Sequence, residues 1–169
     1  NNKSEILVVD DDKNIINNLI KYTTNFNKIN CFYYDKNLIE NKFSVIFHNE
    51  SINKKTKFIH LLNIIKKHQK VKGNISVKLD NTHDNYSINI IYILSLLYKK
   101  IVVIKPNSGN VFLFERYIIC KSFNKNSAIF IDKICSSLIN DESENISIKN
   151  IPLFFLNKLD ECNTIMGQQ

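Results

Sequence analysis

The apolar positions of this chain fall into short blocks that alternate between two periodicities. Ile6-Leu7-Val8-Val9 is an unbroken apolar run that stops on Asp10-Asp11-Asp12, the pattern of a buried parallel strand with an acidic carboxyl end. Ile15, Ile16, Leu19 and Ile20 then recur at helical spacing, and Asp11 or Asp12 is placed to cap that helix. Cys31 to Tyr34 and Phe43 to Phe47 are the next strand candidates, the second ending at His48-Asn49-Glu50. Phe58, Leu61, Leu62 and Ile65 form an i, i+3, i+4, i+7 stripe on a helix with a basic end at Lys66, Lys67 and Lys70. Lys72-Gly73-Asn74 reads as a turn and Ile75 to Leu79 as a strand. Ile88 to Leu97 is a helix apolar on most sides, so it should be deeply covered. Ile101 to Ile104 is a strand stopped by Lys105-Pro106, and Glu115 to Lys121 is the last strand. Ile131, Ile134, Cys135 and Leu138 mark one closing helix; Phe155, Leu159, Cys162 and Met166, after Pro152, mark another. Between them Asn140 to Asn145 is polar and acidic, a surface loop.

Strands alternating with helices predict an α/β fold with a parallel sheet and helices on both faces. The strands at 101–104 and 115–121 are joined by about ten residues with no helical pattern. That is too short for a crossover, so this pair is expected to run antiparallel. The 169 residues fit one domain, read as 1–72, 73–123 and a helical tail 124–169.

Composition narrows the chemistry. The formal net charge is +7, nearly all from Lys, since Arg116 is the only Arg. Such a surface suits a polyanion such as RNA and equally suits solubility; the lysines of 54–57 and 66–72 read first as a solvated face, with His60 and His68 solvated beside them. The four cysteines make no CxxC pair and no His lies at ligand spacing from them, so no metal site is expected. Cys135 and Cys162 fall on apolar helix faces and read as buried thiols of a reducing, cytoplasmic compartment. No apolar run reaches the roughly 18–20 residues of a membrane span, and no secretory leader pattern is visible. Only three glycines occur, Gly73, Gly109 and Gly167, and no two are close enough to build a nucleotide-cradling loop.

The segment from Lys105 to Lys121 has Lys-Pro, a loop containing Ser108, then Glu115-Arg116-Tyr117 and an apolar strand. It resembles a signature of the FtsJ-like ribose methyltransferases, in particular the cap 2′-O enzymes of eukaryotes and large DNA viruses. Gly73-Asn74-Ile75-Ser76-Val77-Lys78 resembles the strand that carries that family's catalytic lysine, and the step from Lys78 to Lys105 matches its strand–helix–strand spacing. The likeness is good over 73–123 and weak before it. It implies a Rossmann-like methyltransferase sheet, mostly parallel with an antiparallel last strand, and a cytoplasmic setting that includes a viral factory or virion.

Family members use a Lys-Asp-Lys-Glu tetrad with S-adenosylmethionine as methyl donor. A ribose hydroxyl is a very weak acid, and a lysine can deprotonate it only if burial and a second cation lower the lysine's own pKa. Matched position by position, Lys78 takes the place of the catalytic lysine, Glu115 that of the final glutamate, and Asn49 that of the aspartate. Glu50 would serve only with a register slip, and Lys3 is a poor match for the first lysine. Asp10, Asp12 and Asp35, at or beyond the ends of the first two strands, are the candidate cofactor contacts. Lys66, Lys67, Lys70, Lys105, Ser108 and Arg116 are the candidate RNA or partner contacts. The tight glycine turn that lets backbone approach the cofactor is replaced by Asp10-Asp11-Asp12-Lys13-Asn14. Either the run 6–12 is the family's first strand with its loop lost, or it is the second strand and the first lies outside this chain.

Three functions compete at this point. One is a catalytically degenerate subunit of an mRNA-capping or transcription assembly that binds no cofactor, as in the small subunit of poxvirus capping enzymes, whose methyltransferase fold activates a partner. The second is an active enzyme using S-adenosylmethionine on capped RNA. The third is a receiver-like signalling domain, suggested by Val-Val-Asp-Asp-Asp and the downstream Ile-Lys-Pro. A membrane partner is not expected.

Overall fold

The computed structural model describes residues 4–10, 12, 14, 17–18, 21, 29–35, 41–105 and 115–167. The strands are β1 (Ser4–Val9), β2 (Ile29–Tyr33), β3 (Phe43–His48), β4 (Gln69–Leu79), β5 (Tyr98–Ile104) and β6 (Arg116–Phe123). The helices are α1 (Lys55–His68), α2 (Asn85–Leu97), α3 (Ser127–Asn140) and α4 (Leu153–Gly167). Asn14, Asn17, Asn18 and Lys21 are helical as well, in the region the first stripe marks; Ile15, Ile16, Leu19 and Ile20 themselves lie outside the described residues.

The strands form one sheet in the order β2-β1-β3-β4-β6-β5. β1 to β4 pair parallel, and β6 runs antiparallel to both β4 and β5. This is a Rossmann-like α/β fold with its reversed strand in the expected place. The reversed β6 also removes the receiver reading, whose sheet is wholly parallel in the order 2-1-3-4-5. The order decides the open question about β1. It lies between β2 and β3, so it is the strand from which the chain turns first one way and then the other: the first strand of the fold and not the second.

The core is built mainly from one face of this sheet. Leu7, Val9, Ile46, Ile75, Val77, Leu79, Ile118 and Cys120 form one buried cluster with Phe58, Leu61, Ile90, Leu94 and Ile131 of the helices. α2 is covered on most sides, as its composition requires: Ile90, Ile91, Ile93, Leu94 and Leu97 are all buried. Its amino end is capped by Asp84, which accepts from Ser87 N at 2.6 Å.

Three expectations change. The turn at Lys72-Gly73-Asn74 sits inside β4 as an irregularity. Lys72 has φ 64°, and the pairing with β3 jumps from Phe43↔Gln69 to Val45↔Asn74. His68 is buried because it continues the inward stripe of α1 three residues after Ile65. Its Nδ1 lies 3.0 Å from Asn41 O, and its ring meets Tyr34 edge-on. Cys162 is exposed. The inward line of α4 runs Phe155, Leu159, Asn163, Met166, and Asn163 takes the inner position by bonding both the hydroxyl and the carbonyl of Thr82, at 2.6 and 3.1 Å. Cys135 is buried as expected. Among the described residues no helix is long and apolar enough to cross a membrane, and no cluster of three or more His, Cys, Asp or Glu could hold a metal.

Candidate functional site

In open α/β sheets a ligand enters the crevice outside the carboxyl ends of the strands where the chain order reverses. Here that crevice lies between the ends of β1 and β3, at Asp10 and Asn49. The backbone ties the two strands there: Asn49 N donates to Val9 O at 3.0 Å. The side chains then bridge it. Asn49 Nδ2 donates to Asp10 Oδ2 at 2.8 Å, and Asn49 Oδ1 accepts from the Tyr117 hydroxyl at 2.7 Å. The other carboxylate oxygen of Asp10 accepts from Asp12 N at 2.9 Å, and the Tyr33 hydroxyl donates to Asp10 O at 3.3 Å. Asp12 in turn accepts from Asn14 N at 2.8 Å, the bond of a helix cap. Asp10 and Asp12 are thus engaged in holding the turn itself.

Lys78 and Glu115 are brought together. Lys78 sits near the end of β4, directly across from Tyr117 of β6, and its Nζ lies 2.8 Å from Glu115 Oε1. The lysine side chain is 20% exposed. Its pKa is raised, first by the hydrogen bond it donates to Glu115, against an opposing burial effect; the nearby charges of Glu115, Tyr117 and Asp80 raise it further. A lysine base needs the opposite shift. Asn49 stands at the place of the aspartate but faces Asp10 and Tyr117. Glu50 lines a different cleft, and Lys3 lies outside the described residues.

That cleft, of about 360 Å³, is lined by Val9, Asp10, Tyr33, Tyr34, Asp35, Glu50 and His60. The Tyr34 hydroxyl is 3.3 Å from His60 Nε2, and burial with the Glu50 and Asp35 charges raises the Tyr34 pKa. Asp35, at the end of β2, is where an acid would accept from a ribose hydroxyl. The rest does not fit an adenosyl cofactor: the crevice toward β3 is bridged and the turn has no glycine. A second cavity, of about 400 Å³, opens at the amino ends of α1 and α2 among Lys54, Asp80, Asp84, Tyr86 and Glu144. Lys78 lines neither.

The basic candidates separate. Lys66 pairs with Asp132 at 2.5 Å and Lys70 with Glu5 at 3.0 Å, both at the amino end of the sheet, remote from Lys78. Lys67 lines a shallow pocket there with Lys42 and Asn63. Lys105, half-buried, follows β5, and Ser108 lies outside the described residues. Arg116 is buried on the helix-packed face, 4% exposed, with Nη1 donating to Glu115 O at 3.0 Å. Two site residues stand inside the quoted segments but were not candidates: Tyr117, which holds Asn49, and His48, whose ring is buried at the end of β3 with Nδ1 unpartnered.

No family model matches this chain, and no curated protein matches its sequence. Solved structures do match. The alphavirus structure "P23pro-zbd" aligns at TM-score 0.50 and 12% identity over 88% of this chain, which spans 26% of that one. An rRNA methylase from Streptococcus thermophilus aligns at TM-score 0.44 and 8% identity over 73% of this chain and 89% of its own. Human methyltransferase-like protein 13 in complex with SAH aligns at 0.46 and 8% identity over 93% and 89%. At these identities the likeness concerns the fold alone.

Proposed function

We propose that this chain is a methyltransferase-fold subunit without methyltransferase activity, acting as a structural or regulatory partner in an mRNA-capping or transcription assembly. One observation carries the reading: the bridge Asp10–Asn49–Tyr117 across the ligand crevice. It uses the amide that stands in place of a catalytic carboxylate, and it leaves Lys78 paired with Glu115 alone, as a firmly protonated ammonium. A protein partner is consistent with large apolar side chains left exposed on α3 and α4, among them Ile129, Ile139, Leu153 and Phe154.

The alternative, an active cap 2′-O-methyltransferase or a fragment of one using S-adenosylmethionine, draws support from the Lys78–Glu115 contact and from Asp35 at the end of β2. Methyl transfer to capped RNA separates the two. The wild-type chain, Lys78→Ala and Asn49→Asp are expected to give the same background incorporation. Incorporation by the wild type that Lys78→Ala abolishes would establish the alternative.

A further inference from the structure

The two faces of the sheet differ. Alternation along the strands places Val45 and Phe47 of β3, Ser76 and Lys78 of β4, Tyr117, Ile119 and Lys121 of β6, and Lys100, Val102 and Ile104 of β5 on the face opposite the helix-packed core. None of the apolar members of this set belongs to the core cluster. Val45, Phe47, Ser76, Val102, Tyr117 and Ile119 are only partly buried, and Ile104 is 44% exposed. Toward β1 the same face closes, since Val8 is fully buried. The open part is therefore confined to the β3-β4-β6-β5 half.

Two features of this half-face indicate what it suits. Phe47 and Tyr117 lie nearly parallel, with ring centroids 6.1 Å apart and planes at 15°, an offset aromatic stack on this face. Lys100 and Lys121 sit directly opposite each other on β5 and β6, both exposed. Like charges so placed repel. Neither has an ion-pair partner among the described residues, whereas Lys66, Lys70 and Lys78 do. A half-exposed aromatic stack with apolar positions beside it and uncompensated cations toward the edge is a combination that binds single-stranded nucleic acid: bases stack, phosphates neutralise the lysines.

We infer that the open β3-β4-β6-β5 face binds single-stranded RNA. The face meets the strand-end crevice at Tyr117, whose hydroxyl holds Asn49 while its ring stacks on Phe47, but Lys100 and Lys121 lie away from it, at the other end of β5 and β6. Fluorescence anisotropy with a labelled, mixed-sequence single-stranded RNA of about 16 nucleotides tests it. The wild type is expected to bind. Lys100→Gln/Lys121→Gln should weaken binding about tenfold and flatten the log–log salt slope by about 1.4, the value for two lost phosphate contacts on a single strand. Lys133→Gln/Lys158→Gln, both exposed and on the helices α3 and α4 rather than on the sheet, should change affinity less than twofold. Lysine-acylation footprinting of the unmutated chain should show Lys100 and Lys121 protected by the same RNA. Absence of wild-type binding would overturn the inference and leave the face to a protein. Equal losses in the two double variants, or no protection at Lys100 and Lys121, would overturn it as well.

Discussion

At the scale of single residues, His48 shows how burial sets chemistry. It ends β3, is 1% exposed, and its Nδ1 has no partner. Burial lowers its pKa from the usual 6.5 to about 4, with the charges of His60 and Lys57 acting in the same direction. The unfolded chain therefore binds this proton more readily than the folded one. The stability from keeping the ring neutral is fully present above about pH 6.5 and is lost as the pH falls toward 4, with a slope of at most about 1.4 kcal/mol per unit. Urea titrations across this range should show His48→Leu losing less stability on acidification than the wild type. Parallel curves would refute the assignment. Asn49 makes a second prediction. Asn49→Asp places a carboxylate where Asn49 Nδ2 now lies 2.8 Å from Asp10 Oδ2. The repulsion and lost bond should cost about 1–3 kcal/mol at neutral pH, and the deficit should shrink in acid as the pair takes up a proton. A variant as stable as the wild type at pH 7 would mean that the Asp10–Asn49 bridge is not formed.

At the scale of elements, the irregularity in β4 depends on Gly73. A Cβ there would lie 2.8 Å from the carbonyl oxygens of Lys70 and Ser44, contacts that only backbone movement could relieve. Gly73→Ala should therefore destabilise the chain by about 1–3 kcal/mol, an overpacking effect read from the denaturation midpoint at unchanged m. A neutral substitution would show that the β3–β4 junction yields easily. The sequence signalled a break here through Lys-Gly-Asn but could not reveal that pairing continues on either side of it. Elsewhere the elements were legible because their periodicity is one-sided or unbroken, as in the Ile6–Val9 run and the Phe58–Ile65 stripe. α4 was legible as a helix but not in its facing. Cys162 looked inward on hydrophobicity, and a hydrogen bond from Asn163 to Thr82, distant in sequence, decided otherwise.

For the whole molecule, the topology was readable from connection lengths: the short link between β5 and β6 required a reversed strand. The position of β1 was not readable, since periodicity is silent on which strands are neighbours, and only the sheet order places it between β2 and β3. The site was half legible. Lys78 and Glu115, both singled out from the sequence, lie in contact, and Asn49 directly follows β3. The bridge through Asp10 and Tyr117 joins residues from three strands, and no local pattern encodes it. The separation of the basic residues between the two ends of the sheet was equally invisible in a linear charge count.

The central claim is that the fold persists while its adenosyl crevice is closed, and calorimetric titration of the intact chain with S-adenosylmethionine addresses it most directly. The account predicts no saturable heat up to millimolar cofactor and no shift in Tm. A micromolar Kd would contradict it, accompanied by stabilisation of about 2.7 kcal/mol at a hundredfold excess over that Kd.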